Sequence, residues 1–245
     1  MIKRILILCV LLVVSAYLAV AVTLFNAKPA GQVCRGIELT IKDSIDYDFI
    51  TLKDVNALLK RKGLSPADKP LDKINIRQLE EALSHQPFIA EAECYLTSSG
   101  KVAIDIYQRI PLLRVMSNNG DTYYLDHAGQ ILPVSGKPVH VAVATGFIDR
   151  KFAQDQLYQL GKYLQTDAFW NAQIEQINVT PRQELELVPR VGNQILFLGK
   201  AEDYQEKFRK LQTFYTEALS QVGWNKYERI SVEFNNQIIC TKKEK

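Results

Sequence analysis

From Ile5 to Phe25 the chain runs apolar without a charge, broken only by Ser15, Tyr17 and Thr23. A bilayer core of roughly 30 Å takes about 20 helical residues, so the run predicts one membrane-spanning helix. Ile5, Leu12, Tyr17 and Phe25 sample that anchor from end to end, with the lipid bilayer as its partner. A cleavable secretory signal is the competing reading, and Ala19-Val20-Ala21 has the small-x-small pattern it needs. Such signals have shorter apolar cores, and here the apolar positions continue through Phe25, which favours a retained anchor. Lys3 and Arg4 favour a cytoplasmic N-terminus, and the large part that follows is exported largely regardless of its charge.

After the anchor the periodicity changes. Val33 to Ile41 reads as a strand. Leu52, Val55 and Leu58-Leu59 recur at helical spacing behind Thr51, an N-cap; Lys60-Arg61-Lys62 suits the last turn and Gly63 the stop. Asn75 caps a second helix with Ile76, Leu79 and Leu83 on one side. Ile89–Leu96 and 101–107 then form a hairpin around Thr97-Ser98-Ser99-Gly100. In its second strand Val102, Ile104 and Ile106 share one face, and Lys101, Ala103, Asp105 and Tyr107 the other. Residues 33–110 therefore predict β-α-α-β-β, two helices on one face of a three-stranded sheet.

Arg109-Ile110-Pro111 marks a boundary, and residues 111–241 predict a β-rich domain. Short strands are expected at 122–125, 130–132 and 139–144, a helix at 152–164, and a meander at 174–179, 184–188 and 194–198. The strongest helix spans 201–222, with Tyr204, Phe208, Leu211, Tyr215, Ala218 and Val222 in register. Glu202 and Asp203 fall in its first turn, Glu206 is spaced to pair with Lys210, and Gly223 ends it. A final hairpin follows, 229–234 and 237–241, around a two-residue Asn235-Asn236 turn. That turn pairs Phe234 with Gln237 and Val232 with Ile239. Ile230, Val232, Phe234 and Ile239 then face inward, while Ile238 and Cys240 point the other way. The closing strand is thus apolar on both faces. Edge strands usually carry charge, proline or a bulge, and this one carries none before Lys242. Addition of a partner's strand and burial within its own fold both explain such a segment.

Composition narrows the function. The chain has 30 basic and 27 acidic residues; without Lys3 and Arg4 the exported part has 28 against 27, no footprint for nucleic acid. The tail 242–245 is basic and reads as a frayed end. Cys34, Cys94 and Cys240 are an odd number of exported cysteines at no metal-binding spacing. They read as small buried residues, with a Cys34–Cys94 disulfide as the alternative. His85, His127 and His140 form no ligand array, and Asp126-His127 lies in a Gly-containing turn where Asp serves turn chemistry. Glu80-Glu81 and Glu91-x-Glu93 read as solvated faces. No nucleophile elbow, zinc, phosphate-loop or dinucleotide motif occurs. No catalytic or metal site, cofactor or small-molecule substrate is expected.

The order of these elements resembles the FtsQ/DivIB family of bacterial cell-division proteins. The likeness rests on Pro87-Phe88-Ile89 through Cys94, Val102 to Pro111, Tyr124-Leu125-Asp126 with Gly129, and Leu187 to Gly192. That last run, the long helix, Val222 to Tyr227 and the ending Asn236 to Lys242 resemble its Bacteroidetes branch most. The resemblance implies an α+β protein: an N-terminal transmembrane helix (5–25, after a cytoplasmic tail 1–4), a POTRA-like module (33–110), and a β domain with one long helix (111–241). It implies a non-enzymatic, single-pass scaffold of the division septum, with its C-terminal domains in the periplasm. It also implies partners of the FtsB/FtsL coiled-coil type. Their contacts would fall on Ile230, Val232, Glu233, Phe234, Asn235 and Asn236 and on the closing strand Gln237, Ile238, Ile239, Cys240 and Thr241. The sequence departs from the proteobacterial pattern in its short cytoplasmic tail and in lacking a Trp after the last strand. Rival readings are a POTRA component of envelope protein assembly or secretion, and an anchored cell-wall enzyme.

Overall fold

A computed structural model describes residues 2–26, 31–42, 49–136 and 139–243; the side chains of 2–8 and 23–26 lie outside the description. Helix α1 (Ile2–Asn26) contains the apolar run. Its Leu12 and Tyr17 are exposed, whereas the side chains of Ile5 and Phe25, the other two anchor positions, fall outside the described set. Among the described residues no helix is long and apolar enough to cross a membrane. The chain divides into two compact units, Met1–Gln108 and Arg109–Lys245.

In the first unit, strand β1 (Ile37–Ile41) precedes helices α2 (Leu52–Arg61) and α3 (Ile76–Ser84), and the hairpin β2 (Ile89–Leu96) and β3 (Val102–Gln108) follows. Local chemistry sets both helix starts. Thr51 and Asp54 close a capping box, and Asn75 Oδ1 accepts the Gln78 N–H at 3.2 Å. The sheet order is β1-β3-β2, with β1 parallel to β3 and β2 antiparallel to it. Val102, Ile104 and Ile106 are buried with Val55, Leu58, Leu59, Leu79 and Leu83 in one core. The opposite face is less open than its polar residues predict. Asp105 is buried there, with Lys42 Nζ at 3.0 Å and the Tyr95 hydroxyl at 3.4 Å.

One expectation changes in this unit, and one alternative falls away. Glu80 does not simply face solvent: its Oε1 accepts the Cys94 N–H at 2.9 Å, covering a backbone donor of the outer strand β2. Cys34 and Cys94 are both buried and free. Cys94 pairs with Ile104 on one side of β3, while Arg35 donates to Gly100 on the other. Two strand spacings plus about five residues of offset put their Cα atoms well beyond the roughly 7 Å that a disulfide tolerates. The thiol of Cys94 is pushed up to about 12, first by burial and then by Glu80.

The second unit is a nine-stranded sheet with helices on one face. It contains β4 (Pro111–Ser117), β5 (Thr122–Asp126), β6 (Ile131–Leu132), β7 (Val143–Gly146), β8 (Ile174–Val179), β9 (Glu184–Pro189), β10 (Ile195–Lys200), β11 (Tyr227–Ser231) and β12 (Ile239–Lys242). Their order is β12-β11-β10-β9-β8-β7-β4-β5-β6. The Arg109-Ile110-Pro111 boundary hides β4, because proline is admissible as the first residue of a strand. Helix α4 opens at Arg150–Phe152, widens to π geometry over Ala153–Leu157 and continues through Tyr158–Thr166. The short α5 (Ala168–Gln173) has no periodic signal. Asp167 starts it, its Oδ1 accepting the N–H groups of Phe169 and Trp170 at 3.0 and 3.1 Å.

Helix α6 begins at Tyr204–Thr213, passes through a π stretch at Phe214–Leu219 and ends at Ser220–Val222 before Gly223. It starts later than its composition predicts. Asp203 is left-handed (φ 53°), so Glu202 and Asp203 precede the first turn instead of occupying it. Its buried stripe is Phe208, Leu211, Tyr215 and Leu219. The wide π turn shifts the inward position from Ala218 to Leu219 and leaves Val222 exposed. Trp170 anchors the core, its ring 5.0 Å from Phe208 and 5.4 Å from Tyr215.

Candidate docking edge

The site grows from one fact about β11: it lies between two strands and can give each N–H to only one of them. β11 runs parallel to β10 and antiparallel to β12. The Val232 N–H goes to Phe197 O of β10 at 3.0 Å. Since N–H and C=O groups alternate sides along a strand, Ile230 and Val232 serve β10, while Arg229 and Ser231 serve β12. Ser231 pairs with Ile239 and Arg229 with Thr241, and the Lys243 N–H reaches Lys226 O at 3.3 Å. The odd residues of β12 therefore face β11. The backbone groups of Cys240 and Lys242 face the other way, where no strand pairs with β12 among the described residues. The one irregularity of this hairpin lies on β11, between Tyr227 and Arg229, so β12 keeps a regular edge.

The same fact overturns the expected turn. A two-residue loop at Asn235-Asn236 would need Phe234 and Val232 to exchange hydrogen bonds with β12, but Val232 is committed to β10. The connection instead spans 232–238, and neither Asn has a positive φ. Pairing moves by one residue, from Val232–Ile239 to Ser231–Ile239, and a one-residue shift exchanges the faces. Ile238 and Cys240 turn toward the helix-side core, while Ile239 is 45% exposed. Phe234, expected inside, is 51% exposed. Ile230 and Val232 are fully buried and offer no surface. Glu233, Asn235, Asn236, Gln237 and Thr241 are exposed.

Helix α6 completes the site. Lys210 donates to Phe234 O at 2.8 Å and Asn235 O at 3.2 Å, holding the connection; it does not pair with Glu206, which takes Arg209 at 2.8 Å. One turn earlier the buried Lys207 donates to Lys200 O at 3.0 Å. Burial lowers the pKa of that ammonium, against the pull of Glu202 and Asp203. Between α6 and the end of the connection that leads into β12 lies a cavity of about 390 Å³ bordered by Lys210, Phe214, Ala218 and Ile238. Sequence reasoning missed Lys210 and Phe214 here; the i, i+4 spacing of 210, 214 and 218 was the signal available. Burial raises the pKa of the Cys240 thiol.

On the sheet's other face, side chains lock β11 to its neighbours. Glu186 of β9 takes Arg229 at 2.9 Å and Asn178 at 2.9 Å, and the Arg229 guanidinium lies 4.2 Å from the Phe197 ring centre. The open edge thus stands on a braced strand.

The Asp126-His127 turn holds no comparable constellation. Asp126 is buried, its Oδ2 bound by Arg109 at 2.9 Å and its Oδ1 by the N–H groups of Ala128 and Gln130 at 2.8 and 2.7 Å. These bonds build the β5–β6 turn. Burial lowers the His127 pKa, with Asp126 opposing, and the Tyr158 hydroxyl donates to the His127 carbonyl at 2.9 Å. Among the described residues no three His, Cys, Asp or Glu side chains converge as a metal would require.

Residues 110–241 match the family described as FtsQ/DivIB, C-terminal related, and residues 32–107 match the POTRA-like domain. No curated protein matches the chain.

Proposed function

Because its match over residues 110–241 covers more than half of its length, the chain belongs to the FtsQ/DivIB, C-terminal related family, and on that premise we propose a non-enzymatic scaffold of bacterial cell division that captures partners by strand addition along β12. The observation that carries this reading is the unpaired margin of β12 at the end of the nine-stranded sheet. An extended partner segment adds its backbone hydrogen bonds to those of Cys240 and Lys242. Its side chains on the helix side meet the cavity beside Phe214 and Ile238. The partners are coiled-coil membrane proteins of the FtsB/FtsL type. The apolar run 5–25 holds the protein in the inner membrane at the septum, with both units in the periplasm.

The test is affinity purification of the tagged full chain from membranes with mass spectrometry, paired with imaging of the tagged protein in dividing cells. Enrichment of FtsB/FtsL-type proteins and a midcell band are expected. A diffuse envelope signal together with no enrichment overturns the reading.

A further inference from the structure

We propose that one end of the second unit rests on an anionic membrane surface, through an aromatic patch with a basic rim. The inference rests on the proposed anchor, which keeps a bilayer within reach, and not on the partner of β12.

Strand direction gathers the patch. β4, β7, β8, β10 and β11 run one way, and β9 and β12 run against them. The starts of β8, β10 and β11 and the ends of β9 and β12 therefore share one end of the sheet. Tyr215 of α6 ties the loops there together. Its ring centre lies 5.2 Å from that of Trp224, in the connection to β11, and 6.2 Å from that of Phe169, in α5. Its hydroxyl takes the Gln194 amide at 3.1 Å, and Gln194 and Gln173 both donate to Val191 O in the β9–β10 turn, at 3.4 and 3.5 Å. Tyr215 is buried, yet Phe169, Val191 and Trp224 around it are 36–51% exposed. One exposed apolar side chain needs no explanation, but three grouped about one tyrosine form a patch that does.

The rim selects the occupant. Arg190 adjoins Val191, and Lys226 follows two residues after Trp224. Lys242 pairs with Tyr227, and the Lys243 N–H reaches Lys226 O, so the basic end of β12 joins the same rim. All four cations are exposed. Glu175 and Glu228 lie on these strand ends as well, while Asp167 is spent capping α5. Amphipathic rings beside a surplus of Lys and Arg suit the boundary between acyl chains and anionic headgroups. The chain that leads from the 5–25 run also enters the second unit at this end, through exposed Ile110 and the first residue of β4, Pro111. So small a patch would hold a free protein on a membrane only weakly. An anchored protein needs less, because its second contact is intramolecular.

The two tryptophans of the chain serve the test: Trp224 lies in the patch and Trp170 is fully buried. The full chain is reconstituted in vesicles of equal parts phosphatidylglycerol and phosphatidylcholine, with the phosphatidylcholine either plain or brominated near the headgroup. Bromine quenches on contact, so brominated lipid should quench the emission, and Trp224→Phe should abolish the quenching. Arg190→Glu combined with Lys226→Glu should lower it at least about fivefold, as should vesicles of phosphatidylcholine alone. Circular dichroism confirms that each variant is folded. Unquenched Trp224 in anionic vesicles overturns the inference, as does quenching that the folded double variant or neutral vesicles keep in full. Shielding of Trp224 from acrylamide that grows with protein concentration in micelles assigns the patch to a second copy, and also overturns it. Flotation after an alkaline wash separates the two readings. A chain that leaves the vesicles sinks the anchor and this inference together, whereas a chain that floats with Trp224 unquenched sinks this inference alone.

Discussion

Two adjacent proline substitutions in β12 should behave in opposite ways, because adjacent N–H groups point in opposite directions. The Ile239 N–H faces Ser231 of β11, its paired residue. Ile239→Pro deletes that bond, leaves the Ser231 carbonyl without its donor and sets a ring against β11. The loss is about 1–3 kcal/mol. That is a sizeable share of the 5–15 kcal/mol that holds a typical domain folded. Cys240 sits one residue on, and its N–H has no strand partner among the described residues. Cys240→Pro removes no internal hydrogen bond and exchanges a half-buried thiol for a ring of similar size, so its cost should stay under about 1 kcal/mol. The order reverses for binding. Cys240→Pro takes away the central donor of the docking margin and blocks close approach of an added strand, which should weaken capture at least about tenfold. The assay is urea denaturation followed by the fluorescence of Trp170 and Trp224, beside capture of the proposed FtsB/FtsL-type pair by the full chain. Equal destabilisation by the two prolines would refute the alternation. Full capture by a folded Cys240→Pro protein would refute the docking margin.

Other consequences follow from single residues. Gly146 has φ +103°, and a Cβ there would collide with Val179 O; Gly146→Ala should cost at least about 2 kcal/mol, measured by urea denaturation, and wild-type stability would contradict the close approach. Burial raises the Tyr215 hydroxyl to about 12. The unfolded chain ionises this group near pH 10 and the folded one later, so its contribution is complete below pH 10 and is lost as the pH rises toward 12. The loss is about 2–3 kcal/mol; Tyr215→Phe should flatten the pH dependence of stability over that window, and an unchanged slope would show the hydroxyl ionising freely. Asp126→Ala should lower stability by about 2–4 kcal/mol, since it strips three bonds from the β5–β6 turn, whereas exposed His127→Ala should change it by under about 0.5 kcal/mol. Thermal denaturation of the two variants compares them, and equal losses would contradict this division of roles.

What could be read from the sequence was local. Thr51, Asp54 and Asn75 announce their helices because a cap bonds within three residues. The β2–β3 hairpin is legible because Val102, Ile104 and Ile106 alternate with Ala103, Asp105 and Tyr107 and the unit's helices cover one side. The failures depend on distant groups. Asn235-Asn236 is a good two-residue turn by its own chemistry, but Phe197, far back in the chain, takes the Val232 N–H first. Lys210 is well spaced for Glu206, yet two carbonyls of the β11–β12 connection claim it. The inward stripe of α6 slips by one because a π turn interrupts its period, and β4 is hidden behind a proline that only its position as first strand residue makes tolerable.

The open margin is consequently a property of β10 as much as of β12. Parallel pairing of β10 with β11 ends at Phe197, where β10 bulges through Gly199, at φ +70°. A Cβ at Gly199 would come within 2.9 Å of the Glu233 side chain, so the bulge also makes room for the chain as it leaves β11. With Val232 spent on Phe197, the odd residues of β11 are left for β12, and the even residues of β12 are left for whatever binds next. A closing strand of the same sequence, set against a β11 that paired one residue differently with β10, would present Ile239 and Thr241 instead of Cys240 and Lys242. The hydrogen-bonding face offered outward is therefore decided two strands inside the sheet, and substitutions at Phe197 or Gly199 should disturb capture without touching the partner.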